Sequence, residues 1–121
     1  MEVTLLGEKR ALLVRVFGEL DHHKAAQIKE EVDNALRTSN AINIIFDFSE
    51  LEFMDSSGIG VIMGRYKKTR TLGGRIIVFG VNAGILRIME MSGIDKIIKL
   101  TPGLDKALRL LDKKKGEKEV G

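Results

Sequence analysis

Phe53-Met54-Asp55-Ser56-Ser57-Gly58-Ile59-Gly60-Val61-Ile62-Met63-Gly64-Arg65-Tyr66 is the stretch around which the chain is organised. It reads as the start of a helix running from about Ser57 to Leu72, yet it holds three glycines in seven residues. Each glycine inside a helix costs roughly 1 kcal/mol against alanine. Ser57, Gly60 and Gly64 follow the spacing i, i+3, i+7 and share one face, while Ile59, Ile62, Met63 and Tyr66 fall mainly on another and are expected to form the buried stripe. Close packing on the sheet would explain one or two of the glycines. A bare, exposed stripe explains all three, because it lets the backbone of another protein come close. Asp55, Ser56 and Ser57 are each good helix caps, and one cap is enough. A serine in the first turn also suits a phosphate, which the free N–H groups and the positive dipole end stabilise, although Asp55 opposes it by like charge. A phosphate of about −2 charge on a smooth docking face would block a partner that fits the bare hydroxyl. The corner is therefore suited to act as an on/off switch for binding.

The chain on either side supplies a scaffold. Val3 to Leu6 and Ala11 to Phe17 read as two strands of a hairpin around Gly7-Glu8-Lys9-Arg10. Gly18-Glu19-Leu20 leaves the second strand, and Asp21 caps a helix over 22–37 with Ala25, Ile28, Val32, Ala35 and Leu36 at helical spacing. Ile42 to Phe48 is apolar enough for a central strand, and 49–53 reads as a loop. Gly73-Gly74 stops the second helix, and Arg75 to Phe79 is another strand. Asn82 caps a short helix with Ile85, Ile88 and Met89 inward, and Ile97 to Leu100 is a short strand. Thr101 then caps a last helix with Pro102 at its first position and Leu104, Ala107, Leu108 and Leu111 on its apolar face. The order ββαβαβαβα makes an α/β fold with an N-terminal hairpin and then parallel strands. Residues 1–112 form a single domain, and the charged residues 113–121 are expected to be a disordered tail.

Several function classes fall away. The 121 residues include no cysteine, which removes disulfides, thiolate metal sites and cysteine nucleophiles and fits a reducing, cytoplasmic setting. No apolar run approaches the about 18–20 residues needed to span a membrane. The net charge of +3 is mild, tryptophan is absent and tyrosine occurs once, so stacking platforms for nucleic acid are not expected. Gly58-Ile59-Gly60-Val61-Ile62-Met63-Gly64 resembles a dinucleotide fingerprint, but Met63 stands where it needs glycine, and the loop before it is too long. No Gly-Lys-Ser/Thr follows. A nucleophilic serine would need a base, and the two histidines, His22 and His23, are adjacent and diverge by about 100° on a helix. Met54 also breaks a Gly-x-Ser-x-Gly elbow at Ser56. Adjacent histidines lack the spacing of metal ligands. No cofactor or metal is called for. Arg65, Lys67, Lys68, Arg70 and Arg75 read as a solvated cluster.

The blocks Gly18-Glu19-Leu20-Asp21-His22-His23, Phe53 to Val61, Gly64-Arg65-Tyr66-Lys67 and Met91-Ser92-Gly93 with Lys96-Ile97-Ile98 together resemble the anti-anti-sigma factors of the STAS domain family, and among them those of sporulation in endospore-forming bacteria. The resemblance covers roughly residues 3–111. It implies a mixed sheet of four or five strands with helices mainly on one side. It implies that Ser56, directly after the aspartate, is phosphorylated by an anti-sigma factor that is itself a serine-protein kinase using ATP. The unphosphorylated form binds that kinase and frees the sigma factor, and a serine phosphatase resets the switch. Asp21 matches a family position beside the serine. The partner-binding set is then Asp21, His22, Asp55, Ser56, Ser57, Gly58, Gly60, Val61 and Gly64. The protein is expected to bind rather than catalyse, and to be a monomer when free. Asn82-Ala83-Gly84 departs from the Ser-Pro expected there, and the lysine-rich tail has no counterpart. Two alternatives stay open: a general stress-response antagonist with a different kinase, and, from another class, a small nucleotide-binding or hydrolysing protein.

Overall fold

The computed structural model describes residues 1–112. The disordered-tail expectation for 113–121 lies outside them. In chain order the elements are β1 (Glu2–Leu6), β2 (Ala11–Arg15), β3 (Gly18–Leu20), α1 (His22–Thr38), β4 (Asn43–Asp47), β5 (Leu51–Met54), α2 (Ser56–Leu72), β6 (Ile76–Phe79), α3 (Ala83–Ser92), β7 (Lys99–Thr101) and α4 (Leu104–Leu111). Two single 3₁₀ turns, Gly7–Lys9 and Ile94–Lys96, complete the list of helical pieces.

Five strands make one sheet in the order β1-β2-β4-β6-β7. The β1–β2 pair is antiparallel and the other three pairs are parallel. Side chains alternate across such a sheet with period two, so each strand feeds two cores. Leu12, Val14, Ile44, Phe46, Ile76 and Val78 face the main core, which α1, α2 and α3 cover with Ile28, Val32, Ile62, Ile85 and Met89. The rings of Phe46 and Phe48 meet there at 5.5 Å between centroids. Ile45, Ile77 and Phe79 face the other way, against Ala107 and Leu110 of α4. Near-continuous apolar sequence in β4 and β6 follows directly from burial on both faces.

The hairpin, the four helices and the parallel strands stand as the sequence implied, with corrections at three places. First, residues 18–20 and 51–54 are not connecting loop. They are β3 and β5, which pair in parallel as a separate two-stranded ladder, with Leu20 opposite Met54 and a register shift after Gly18. Second, α4 begins at Leu104 with Gly103 as its cap, because Thr101 is spent in β7 and its Oγ1 donates to the Gly103 carbonyl at 3.0 Å. Third, the buried line of α2 is not Ile59, Ile62, Met63 and Tyr66. It runs through Gly58, Val61, Ile62, Arg65 and Thr69, and Ile59, Met63 and Tyr66 are only partly covered on its flank. The spacing i, i+3, i+4, i+7, i+11 is the true helical stripe. Gly73 ends the helix in the left-handed conformation at φ 84°, its N–H donating to the Arg70 and Thr69 carbonyls.

Candidate functional site

The small β3–β5 ladder positions the site. Pairing Leu20 with Met54 sets the next residue of each strand, Asp21 and Asp55, side by side, and the Asp55 N–H donates to the Leu20 carbonyl at 3.3 Å. Each aspartate then caps a 17-residue helix. Asp21 Oδ1 accepts from the Lys24 N–H at 2.9 Å. Asp55 Oδ1 accepts from the Ser57 N–H at 2.8 Å. Two helix N-termini, α1 and α2, therefore open next to one another, with His22-His23 on one and Ser56-Ser57 on the other. The Asp21 carboxyl is held below its ordinary value of 3.8, chiefly by the Lys24 N–H, with His23 aiding and partial desolvation opposing.

Because Asp55 is the cap, neither serine hydroxyl is needed for that task. Ser56 is the first residue of α2 and is exposed, and Ser57 is half-buried beside it. The three glycines divide. A Cβ on Gly58 would stand 2.3 Å from Met54 Cγ and 3.0 Å from Leu20 Cδ2, so glycine there lets α2 sit on the β3–β5 ladder. On Gly60 and Gly64 a Cβ would meet nothing within 4 Å. Gly60 is exposed and Gly64 partly so. Within the expected partner-facing set, Gly58 is buried against the β3–β5 ladder and Val61 is buried at the floor between the helices. Asp21, His22, Asp55, Ser56, Ser57, Gly60 and Gly64 all reach the surface.

Sequence reading missed three features here. A groove runs between the first halves of α1 and α2, with Ala25, Ala26 and Lys29 on one side and Ser57, Gly60 and Gly64 on the other. Arg65, expected in a solvated cluster, is 4% exposed at its base. Its Nε lies 3.0 Å from Asp33 Oδ1, an ion pair without hydrogen-bond alignment, and Lys68 Nζ reaches Asp33 Oδ2 at 2.9 Å. Arg65 Nη1 is buried with no hydrogen-bond partner. Burial lowers the Arg65 pKa and Asp33 works against that shift. Finally, Phe53 on β5 is 48% exposed, an aromatic ring in the open two residues before Asp55. Helical periodicity signals neither the Arg65–Asp33 pairing nor the exposure of Phe53.

Among the described residues no group of three or more histidines and carboxylates is placed to hold a metal ion, and no helix is long and apolar enough to cross a membrane.

The description "STAS domain" matches residues 2–107. The chain is 37% identical over 100 residues to the anti-sigma F factor antagonist of Paenibacillus polymyxa, covering 83% of this chain and 86% of that protein. It is 31% identical over 85 residues to the anti-sigma-B factor antagonist of Listeria monocytogenes, covering 70% and 74%. The solved structure of the Bacillus cell fate determinant SpoIIAA in its phosphorylated form superposes with a TM-score of 0.71 at 28% identity, over 90% of this chain and 97% of that one.

Proposed function

The chain belongs to the STAS domain family, and on that premise we propose that it is an anti-sigma factor antagonist whose docking face is switched by phosphorylation of Ser56. Its unphosphorylated form binds an anti-sigma factor that is also a serine kinase and so releases a sigma factor in the cytoplasm. The kinase transfers a phosphoryl group from ATP to the Ser56 hydroxyl, binding is lost, and a serine phosphatase restores it. The free protein is a monomer, and it binds rather than catalyses. The identities of 37% to an F-type and 31% to a B-type antagonist favour the sporulation pathway over the general stress response.

The observation that carries this reading is the open space over Gly60 and Gly64, next to a serine that is exposed and not used as a cap. Nothing among the described residues requires glycine at either position, and on this reading the helix bears roughly 1 kcal/mol at each for a partner. Asp21, His22, Asp55, Ser57 and the two glycines then frame the surface that the partner covers, and Phe53 adds an aromatic anchor at its edge. Aromatic rings of this kind often dominate the binding energy of an interface. A phosphate on Ser56 brings about −2 charge beside the two capping carboxylates.

The test uses the anti-sigma factor of the host, purified, with labelled ATP. Ser56→Ala should bind it and take up no label. Ser56→Asp should bind more weakly than wild type. Full labelling of Ser56→Ala would move the site elsewhere, and unchanged affinity of Ser56→Asp would sink the electrostatic account.

A further inference from the structure

The groove between α1 and α2 is lined by basic side chains. His22, Lys29 and Arg65 line it, and no aspartate or glutamate does. Its walls are the small residues Ala25, Gly60 and Gly64, so no long side chain closes it. At its base one carboxylate, Asp33, serves two cations, Arg65 and Lys68. That leaves one positive charge in excess around a side chain that is 5% exposed. Arg65 Nη1 is buried with a donor unspent. Buried guanidinium donors left unpaired are costly, and most such groups find an acceptor. A small-residue groove alone would mark nothing, but this one has at its floor a buried guanidinium, ion-paired with Asp33 through Nε, whose Nη1 has no hydrogen-bond partner.

We propose that this groove receives an aspartate or glutamate side chain of the anti-sigma factor, with Lys29 meeting it at the rim and Arg65 at the floor. The proposal rests on the docking face described above and names the partner's chemistry there. Carboxylate oxygens match the guanidinium fork, and the pairing is worth most where water is excluded. It also explains how the switch acts. Ser57 lines the groove and Ser56 precedes it on the same first turn. A phosphate on Ser56 puts negative charge at the mouth of a groove that binds a negative group, so the partner's carboxylate is repelled. Charged groups arranged in this way set specificity and encounter rate as well as affinity.

The experiment measures the Kd of the purified full chain for the host's purified anti-sigma factor, with thermal melts to confirm that each variant is folded. Lys29 is exposed and takes part in no ion pair among the described residues, so Lys29→Glu tests the groove with little threat to the fold. Lys29→Glu and Arg65→Gln should each weaken binding by about tenfold or more, while Lys106→Glu on α4, on the other face of the sheet, leaves it unchanged. A carbodiimide, which joins an amine directly to a carboxylate, should link Lys29 to an aspartate or glutamate of the partner. If wild type binds and Lys29→Glu binds within about twofold of it, the groove inference is overturned and the functional reading stands. If wild type does not bind, both fall. A cross-link from the partner to Lys106 in place of Lys29 would also overturn the inference, by putting the partner on the opposite face.

Discussion

Gly60→Ala and Gly64→Ala should make the protein more stable and a worse binder. Both positions lie inside α2, neither has a positive φ, and beyond the local helix backbone a Cβ at either meets no atom of the described residues within 4 Å. The methyl therefore adds no clash, and the helix regains the roughly 1 kcal/mol that glycine costs. For a domain of this size that is a rise of about 4 °C in Tm for each substitution, and about twice that for the pair. At the docking face the same methyl stands where the partner's backbone must come. Overpacking a fitted contact costs about 1–3 kcal/mol, or about 5- to 150-fold in Kd. Gly58→Ala is the built-in control, since its Cβ would lie 2.3 Å from buried Met54. It should lower Tm, because the clash outweighs the gain in helix propensity. Calorimetry and titration of the anti-sigma factor read both quantities on the same samples. A stabilised Gly60→Ala that binds like wild type would refute the link between the bare stripe and docking. A Gly60→Ala that melts lower would refute the claim that the fold has no use for that glycine.

Two further outcomes follow from the geometry around the switch. The Asp21 carboxyl has its pKa lowered in the folded state, so its capping of α1 contributes stability above its ordinary value of 3.8 and loses it as pH falls through the lowered folded value; carboxyl carbon NMR should find its midpoint below 3.8, and a midpoint above it would refute the cap geometry. Phe53→Ala should change stability little, because half of the ring is already in solvent, yet weaken the anti-sigma factor by about tenfold if the ring is an anchor; equal affinity for the two proteins would remove it from the interface.

What could be read in the sequence depended on how burial is written there. β6 is apolar throughout and β4 is apolar over Ile44 to Phe46 because both faces are covered, and their identity was plain. β3 and β5 were not legible: three and four residues long, they expose Glu19, Glu52 and Phe53, and no alternation survives at that length. The stripe on α2 was misplaced because hydrophobicity was taken for depth. Gly58 is buried since it has no side chain, Arg65 since Asp33 neutralises it, and Thr69 because its hydroxyl bonds the Tyr66 carbonyl at 3.0 Å. A scale of apolarity passes over all three. The anomalies on which the proposed switch rests were legible, because redundant caps and glycines are features of local chemistry that require no tertiary knowledge. The groove was not, since Arg65 and Asp33 meet only after two helices are aligned.

Those two helices are aligned by the ladder that the sequence hid, and this explains how α2 can serve binding at all. An isolated helix with three glycines in its first half would be a poor one, short of roughly 3 kcal/mol against its alanine counterpart. Burying Val61 and Ile62 offsets this, each contributing about 1.5–3 kcal/mol, and Gly58 recovers part of its own cost by letting those side chains reach the core. The stability of α2 thus resides on one face, in contacts with β3, β5 and the main sheet. Its other face, Ser57, Gly60 and Gly64, is left free of any structural duty. A residue there can be bare, or can carry a phosphate one position away at Ser56, without asking the core to rearrange. On the proposed reading, a partner docked on that face meets the change directly.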